Sequence, residues 1–380
     1  MVFCFLLTTT SSAQQGNDSC NLQLSLLTCS PGDELYSIFG HSALRVKDES
    51  RGFDIIFNYG TFDFDDPEFY TKFVKGKLLY FVSTQNFQDF AYGYQMENRS
   101  IIEQQLQLTC EQKAQLFNDL QVNLQEANKF YLYDFLFDNC STRLRDIVAN
   151  SSSDQVHFGN IIPTPAPTFR DLIHIYLREG NQYWSKLGID MLLGNKLDKR
   201  MENEQAMFLP DFLMEGFDSA TINNVKLVGS KNTILTANQN KEKSSILLRP
   251  VSITILILLV FGSMHFIRKK WAGLVLDAFD TIFFFVLGIL GCLMIFMWFG
   301  TDHVFCRNNF NLVWALPTHL LLAFFIYSRK RWVRNYFRIM ALWYFVLFFA
   351  WALLPQDMNS AFVPVVVLAF IRSYCRYRKT

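Results

Sequence analysis

A chain of 380 residues is long enough for two domains, and its formal net charge of +1, from 35 basic and 34 acidic side chains, gives no electrostatic attraction for nucleic acid. Hydrophobic residues make up 51% of it, yet that average conceals a division near Ser245. Before that point the chain mixes polar and apolar residues as globular proteins do; after it, six of the seven Trp residues stand among long apolar runs, which excludes a wholly soluble protein.

Residues 1–13 read as a partial signal sequence. Met1 to Leu7 is apolar, Thr8 to Ala13 is small and polar, and Ser11-Ser12-Ala13 offers small residues for cleavage. The stretch is short and lacks a basic start, so a longer leader is expected upstream of it.

Residues 14–227 are expected to form an extracytoplasmic α+β domain. Ser42 to Val46 and Phe53 to Tyr59, rich in β-branched and aromatic residues, predict two strands joined by a turn from Lys47 to Gly52. Lys77 to Ser83 and Ser100 to Leu108 predict two more. Thr109-Cys110-Glu111-Gln112 matches a capping box, and Leu116, Phe117, Leu120 and Leu124 supply the buried stripe of the helix it opens. A second helix starts at Cys140, capped by Asp138 or Asn139, with Leu144, Ile147 and Val148 on its buried face. Residues 151–167 are polar and proline-bearing, and Thr168 to Leu177 is again helical. Residues 228–245, with Asn232, Asn238, Asn240 and Lys241-Glu242-Lys243, have few large apolar side chains and read as a linker.

Residues 246–380 predict an all-α bundle of about five transmembrane helices, roughly Ile246 to Ile267, Leu274 to Phe299, Leu312 to Tyr327, Ile339 to Leu354 and Ala361 to Ile371. Arg268-Lys269-Lys270, Arg329-Lys330-Arg331 with Arg334 and Arg338, and Arg372 with Arg376, Arg378 and Lys379 mark alternate ends as cytoplasmic. The other connections, Gly300 to Asn311 and Pro355 to Ser360, then face outward with the N-terminal domain.

The chemistry centres on Asp138-Asn139-Cys140-Ser141-Thr142 and on Gly40-His41-Ser42. A thiol at a helix N-terminus faces unpaired amides and the positive end of the helix dipole, both of which favour thiolate, and an imidazolium beside it favours thiolate further. The competing reading is that Cys140 is a buried apolar thiol. As a nucleophile Cys140 points to acyl transfer, with His41 as base and then acid. Asn58, with Asp54 behind it, is the candidate to orient the imidazole. The Cys140 backbone amide, helped by Asn139 or Tyr131, would receive the oxyanion.

In the outward loop, Asp302 and His303 are candidate substrate-binding residues, joined by His319 inside the following helix, since ionisable groups at membrane depth are functional suspects. Their alternative roles are interfacial placement and hydrogen bonding between helices. His303, Asp302 and Cys306 lack a second ligand cluster, so no metal site is assigned. No cofactor is expected either. Of eight cysteines, Cys20, Cys29, Cys110, Cys140 and Cys306 lie outside; five is odd, so a thiol remains free unless it pairs between chains, and Cys20 and Cys29 are near enough in sequence to bridge. Cys110 is read as structural.

His41 precedes Cys140, the reverse of the papain-like order, as in a circularly permuted papain-like fold. Gly40 to Val46, Phe57-Asn58-Tyr59-Gly60 and Tyr133 to Arg143 resemble the periplasmic domain of the Lnb-type bacterial lipoprotein N-acyltransferases. The resemblance continues through Met207-Phe208-Leu209-Pro210 to Thr301-Asp302-His303 and Trp314 to His319. More distantly, the layout is similar to lecithin:retinol acyltransferase and the permuted NlpC-type thiol enzymes. The resemblance implies a multi-pass protein of the bacterial inner membrane with its active site in the periplasm. Its implied reaction moves a fatty acyl chain from a phospholipid donor, through a Cys140 thioester, to the amine of a diacylglyceryl-cysteine lipoprotein acceptor. A hydrolase using the same pair, either a cell-wall peptidase or a phospholipase, and a non-enzymatic envelope binding module are the alternatives.

Overall fold

The computed structural model describes residues 21–152, 154–238 and 245–379. The expected leader, its cleavage site and Cys20 lie outside those residues. The chain is a mixed α+β protein, sheet-rich first and helical afterwards.

The first part runs through β1 (Gln23–Cys29), β2 (His41–Asp48), β3 (Phe53–Thr61), α1 (Phe69–Lys75), β4 (Leu79–Asn86), α2 (Phe87–Met96), β5 (Ile101–Leu106), α3 (Cys110–Leu124), β6 (Phe130–Leu132) and α4 (Cys140–Asn150). It continues with β7 (Val156–His157), α5 (Phe169–Glu179), α6 (Tyr183–Leu192), α7 (Pro210–Ser219), β8 (Thr221–Ile222), β9 (Val225–Lys226) and β10 (Val228–Leu235). Seven strands make one antiparallel sheet in the order β10-β5-β1-β2-β3-β4-β6, and β7, β8 and β9 make a small second one.

The expected hairpin is β2–β3. Its turn is closed by Asp48, whose carboxylate accepts the backbone N–H of Ser50 at 2.9 Å and of Arg51 at 3.1 Å. The capping box of α3 forms with both reciprocal bonds, Gln112 N–H to Thr109 Oγ1 at 3.2 Å and Thr109 N–H to Gln112 Oε1 at 3.0 Å. Strand β1 was not legible by alternation because it is central and covered on both sides. Its Leu24 and Leu26 enter the core shared with α3, α4 and α7, while Leu27 and Cys29 enter the core with Phe90 of α2.

Part of the linker expected over 228–245 is a strand. Residues Val228 to Leu235 are β10, an edge strand paired with β5 and bulged near both ends. An exposed edge satisfies its backbone on one neighbour and has no need of large apolar side chains, so its polar composition mimicked a linker.

Residues 151–227, to which composition assigned no role, build a second core from Phe169, Leu172, Ile173, Leu197 and Phe208. Asp190 of α6 is fully buried at its edge. It accepts hydrogen bonds from Arg170 (3.0 Å), His174 (2.6 Å), Lys186 (2.7 Å) and Asn359 (2.8 Å). Burial pushes this carboxyl up, and the His174 and Lys186 partners more than reverse it, holding it well below the usual carboxylate range. Asn359 belongs to the membrane part, and Asn311, from the same part, donates to the Asp190 backbone carbonyl at 2.8 Å. Asp190 therefore ties the two parts together. Asp190→Ala strips His174, Lys186 and Asn359 of their shared acceptor and leaves Arg170 only Asp198 as counter-charge, and is expected to cost about 3–5 kcal/mol. Thermal unfolding of the purified full-length chain checks this; an unchanged midpoint would remove the network from the fold's supports.

The second part comprises α8 (Pro250–Ser263), α9 (Lys270–Phe299), α10 (Thr318–Ala323), α11 (Arg331–Ala350) and α12 (Phe362–Lys379). Two segments, Lys270–Phe299 and Arg331–Leu353, are long and apolar enough to cross a membrane, and Pro250–Phe266 is a shorter apolar helix. The span expected from Leu312 to Tyr327 is not one continuous helix. A 3₁₀ turn covers Phe310–Val313 and α10 is only six residues long, beginning after Pro317, whose missing N–H and ring prevent a helix from running through. Arg372 and Arg376, expected as cytoplasmic flanking charges, are buried and paired with Asp280 of α9, because charges held inside an apolar bundle must find counter-charges. Arg268, Lys269, Arg378 and Lys379 line one cavity with them, so the basic ends of α8, α9 and α12 lie together.

Candidate functional site

Two glycines shape the site. Gly40 has φ +80°, and a Cβ there would lie 2.7 Å from the Cys29 carbonyl oxygen, so only glycine admits the turn that delivers His41 to the start of β2. Gly60, at φ +87°, sits against Tyr133 and the Cβ of Cys140.

Cys140 is the first residue of α4. Its N-cap is Asn139, not Asp138: Asn139 Oδ1 accepts the N–H groups of Ser141 and Thr142, each at 2.9 Å. Asp138 instead holds Arg143 at 2.6 Å. Asn139 also donates to the carbonyls of Phe135 (2.8 Å) and Phe208 (2.7 Å). Both ends of this amide are thereby committed, which withdraws it from the oxyanion role considered for it. Tyr131 is buried, with the Arg143 guanidinium 3.4 Å from its ring centroid.

His41 and Cys140 lie close enough for each to shift the other's titration, and both remain partly open to solvent. His41 Nε2 lies 3.2 Å from Asn58 Oδ1. Since an amide oxygen only accepts, Nε2 carries a proton toward Asn58. Burial pushes the Cys140 thiol up, but the His41 charge and hydrogen bond, with the Ser42 backbone N–H, carry it below its ordinary value. Burial lowers His41, and Cys140 and Asn58 together raise it above its ordinary value. Each partner favours the other's charged form. Asp54, expected behind Asn58, instead pairs with Arg45, whose guanidinium also holds Glu103 at 3.0 Å.

Cys29 is opposite His41 in the β1–β2 register, yet its thiol is fully buried and desolvation pushes it up to about 12, leaving it neutral. Cys29 is free and Cys110 is disulfide-bonded, which overturns a Cys20–Cys29 bridge.

The three membrane-side candidates do not join this pair. His319 lies in the first turn of α10, fully buried, and both its ring nitrogens are taken, by Tyr344 at 2.6 Å and Tyr336 at 2.9 Å, leaving no ring atom open to a ligand. His303 donates from its ring to the Phe73 carbonyl at 3.0 Å, and the Asp302 backbone N–H donates to the Lys75 carbonyl at 2.9 Å. Both residues brace the end of α1. The link from this loop to Cys140 is Phe305, whose ring packs 5.7 Å from Phe137, three residues before the cysteine. Nothing in sequence spacing signals that contact. Among the described residues no group of three or more His, Cys, Asp and Glu is arranged to hold a metal.

A family model described as the Lnb N-terminal periplasmic domain matches residues 9–174, which include His41, Asn58 and Cys140, and one described as the Lnb transmembrane domain matches residues 241–380. No curated protein and no solved structure matches the chain.

Proposed function

This chain belongs to the Lnb family, lipoprotein-modifying enzymes of the inner membrane with a periplasmic N-terminal domain, and on that premise we propose that it is a cysteine-dependent lipoprotein N-acyltransferase whose first part is a circularly permuted papain-like domain. What supports the reading is the thiol at the mouth of α4, lowered by the His41 charge, together with the hydrogen bond between His41 and Asn58. The membrane part tethers this centre beside the bilayer that holds both proposed lipid substrates.

The Cys140 thiolate attacks an ester carbonyl of a phospholipid, and the Cys140 backbone N–H, which lacks a partner within the helix, supports the oxyanion. Collapse breaks the ester C–O bond and forms a thioester; the lysophospholipid alkoxide leaves with the proton held by His41. The lipoprotein's α-amine, with an ordinary pKa of about 7.7–8.0 and thus partly neutral, then attacks the thioester. The C–N bond forms, the C–S bond breaks, and His41 takes the amine's proton while thiolate is restored. Tethering to the membrane keeps both lipids at high effective concentration, an advantage a peptidase acting on soluble substrate would not need.

Mass spectrometry of lipoprotein N-terminal peptides, from cells with and without this chain, tests the reading. An added amide-linked acyl chain is expected only where the chain is present. Unchanged N-termini together with released free fatty acid would favour a phospholipase instead.

A further inference from the structure

α1 and the loop before it carry aromatic side chains that the fold leaves outside: Phe64 is 63% exposed, Tyr70 78% and Phe73 51%. Scattered exposed apolar residues are ordinary, but a contiguous patch marks a contact surface. Phe62, Phe64 and Phe69 touch one another with ring centroids 4.7, 4.9 and 5.8 Å apart, and Phe73 stacks on Phe69 at 6.2 Å.

This face has two ends. At one, Asp302 and His303, just past the outer end of α9, bond to the carbonyls of Lys75 and Phe73, so α1 is fixed beside the mouth of a membrane-crossing helix. At the other, Phe62 lies 5.3 Å from Tyr80, Tyr80 stacks at 4.4 Å on Tyr133, and Tyr133 and Cys140 flank Gly60. An aromatic path thus joins the membrane surface to the thiol. Lys75 and Lys77 are exposed at its membrane end, Lys77 with its ammonium 3.9 Å from the Asp302 carboxylate, and exposed ammonium groups beside a membrane complement phosphate.

We propose that α1 and this aromatic face are the entry surface along which an acyl chain of an outer-leaflet phospholipid leaves the bilayer and reaches Cys140, its phosphate held near Lys75 and Lys77. The inference rests on the acyltransferase reading and adds to it how the donor is presented. Continuity with the membrane part at one end and with the nucleophile at the other selects a lipid chain over a protein partner.

The test uses the full-length Cys140→Ala chain, which cannot turn over, in phosphatidylethanolamine and phosphatidylglycerol vesicles holding a trace of phospholipid with a diazirine on one acyl chain. After illumination, peptide mapping is expected to find adducts between Phe62 and Leu79 in addition to the membrane helices. Adducts confined to residues after Arg249 would overturn the proposal, as would labelling of the Phe62–Leu79 segment by a photoreactive diacylated lipopeptide and not by phospholipid. In the chain that retains Cys140, Tyr70→Glu with Phe73→Glu is expected to lower Cys140 acylation from a long-chain phospholipid, relative to a water-soluble short-chain ester, about tenfold, as lost apolar contact requires. An unchanged ratio would overturn it. Should unaltered Cys140 accept no acyl group from any donor, the acyltransferase reading fails, and the photolabel still decides whether lipid occupies this face.

Discussion

Cys140→Ala is expected to abolish N-acylation of lipoproteins, lowering the rate at least about 10³-fold, as removal of a covalent nucleophile does. The side chain is small and partly open, so its loss should cost about 1 kcal/mol or less of stability and leave the protein inserted. Intact-protein mass spectrometry after brief exposure to donor phospholipid, without acceptor, should show a hydroxylamine-labile fatty-acyl adduct on the natural chain and none on the variant. Acylation persisting in the variant would transfer the chemistry to another group, and the proposed mechanism would fail. Cys29 and Cys306 are the buried free thiols among the described residues, and burial pushes them up to about 12 and about 11, so neither is activated to replace Cys140.

His41→Ala should lower acyl transfer by about 10² to 10⁴-fold, the range for loss of a positioned acid and base. Its signature is the pH profile. In the natural chain the His41 charge and hydrogen bond carry Cys140 below its ordinary value, and Cys140 in turn raises His41, so thiolate appears at lower pH than burial alone would allow. Removing His41 leaves burial unopposed by its charge, and thiolate should then appear only above its natural inflection. Alkylation of Cys140 by iodoacetamide across pH reads this directly; identical profiles would show that His41 does not activate the thiol. Asn58→Ala should cause a smaller loss, because Asn58 holds the ring without exchanging the reacting proton.

Features made within a few residues were legible beforehand. The β2–β3 hairpin, the Thr109 capping box and the helix opening at Cys140 depend on turn residues and side chains that satisfy amides one to three positions away. The helical character of the region after Ser245 was legible too, but not its limits: α11 starts at Arg331 and α12 runs on to Lys379, beyond the apolar runs, because neighbouring helices pair with the flanking charges. Where a local rule had two outcomes, it misled. The polar edge strand β10 read as a linker, and the interval before α10 read as part of a span although Pro317 interrupts it.

By itself the sequence determined the division into a globular and a membrane part, the main hairpin and helix starts, and the residues on which the proposed thiol–imidazole chemistry rests. Tertiary structure alone decided what those residues do to one another. It set Asn58 against His41 while giving Asp54 to Arg45, spent the Asn139 amide on a helix cap, enclosed His319 between two tyrosines, and gathered the cations of α5 and α6 around Asp190. The physical reason is that a polar side chain's charge and availability follow from partners and burial, and both are contributed by segments far away in the chain.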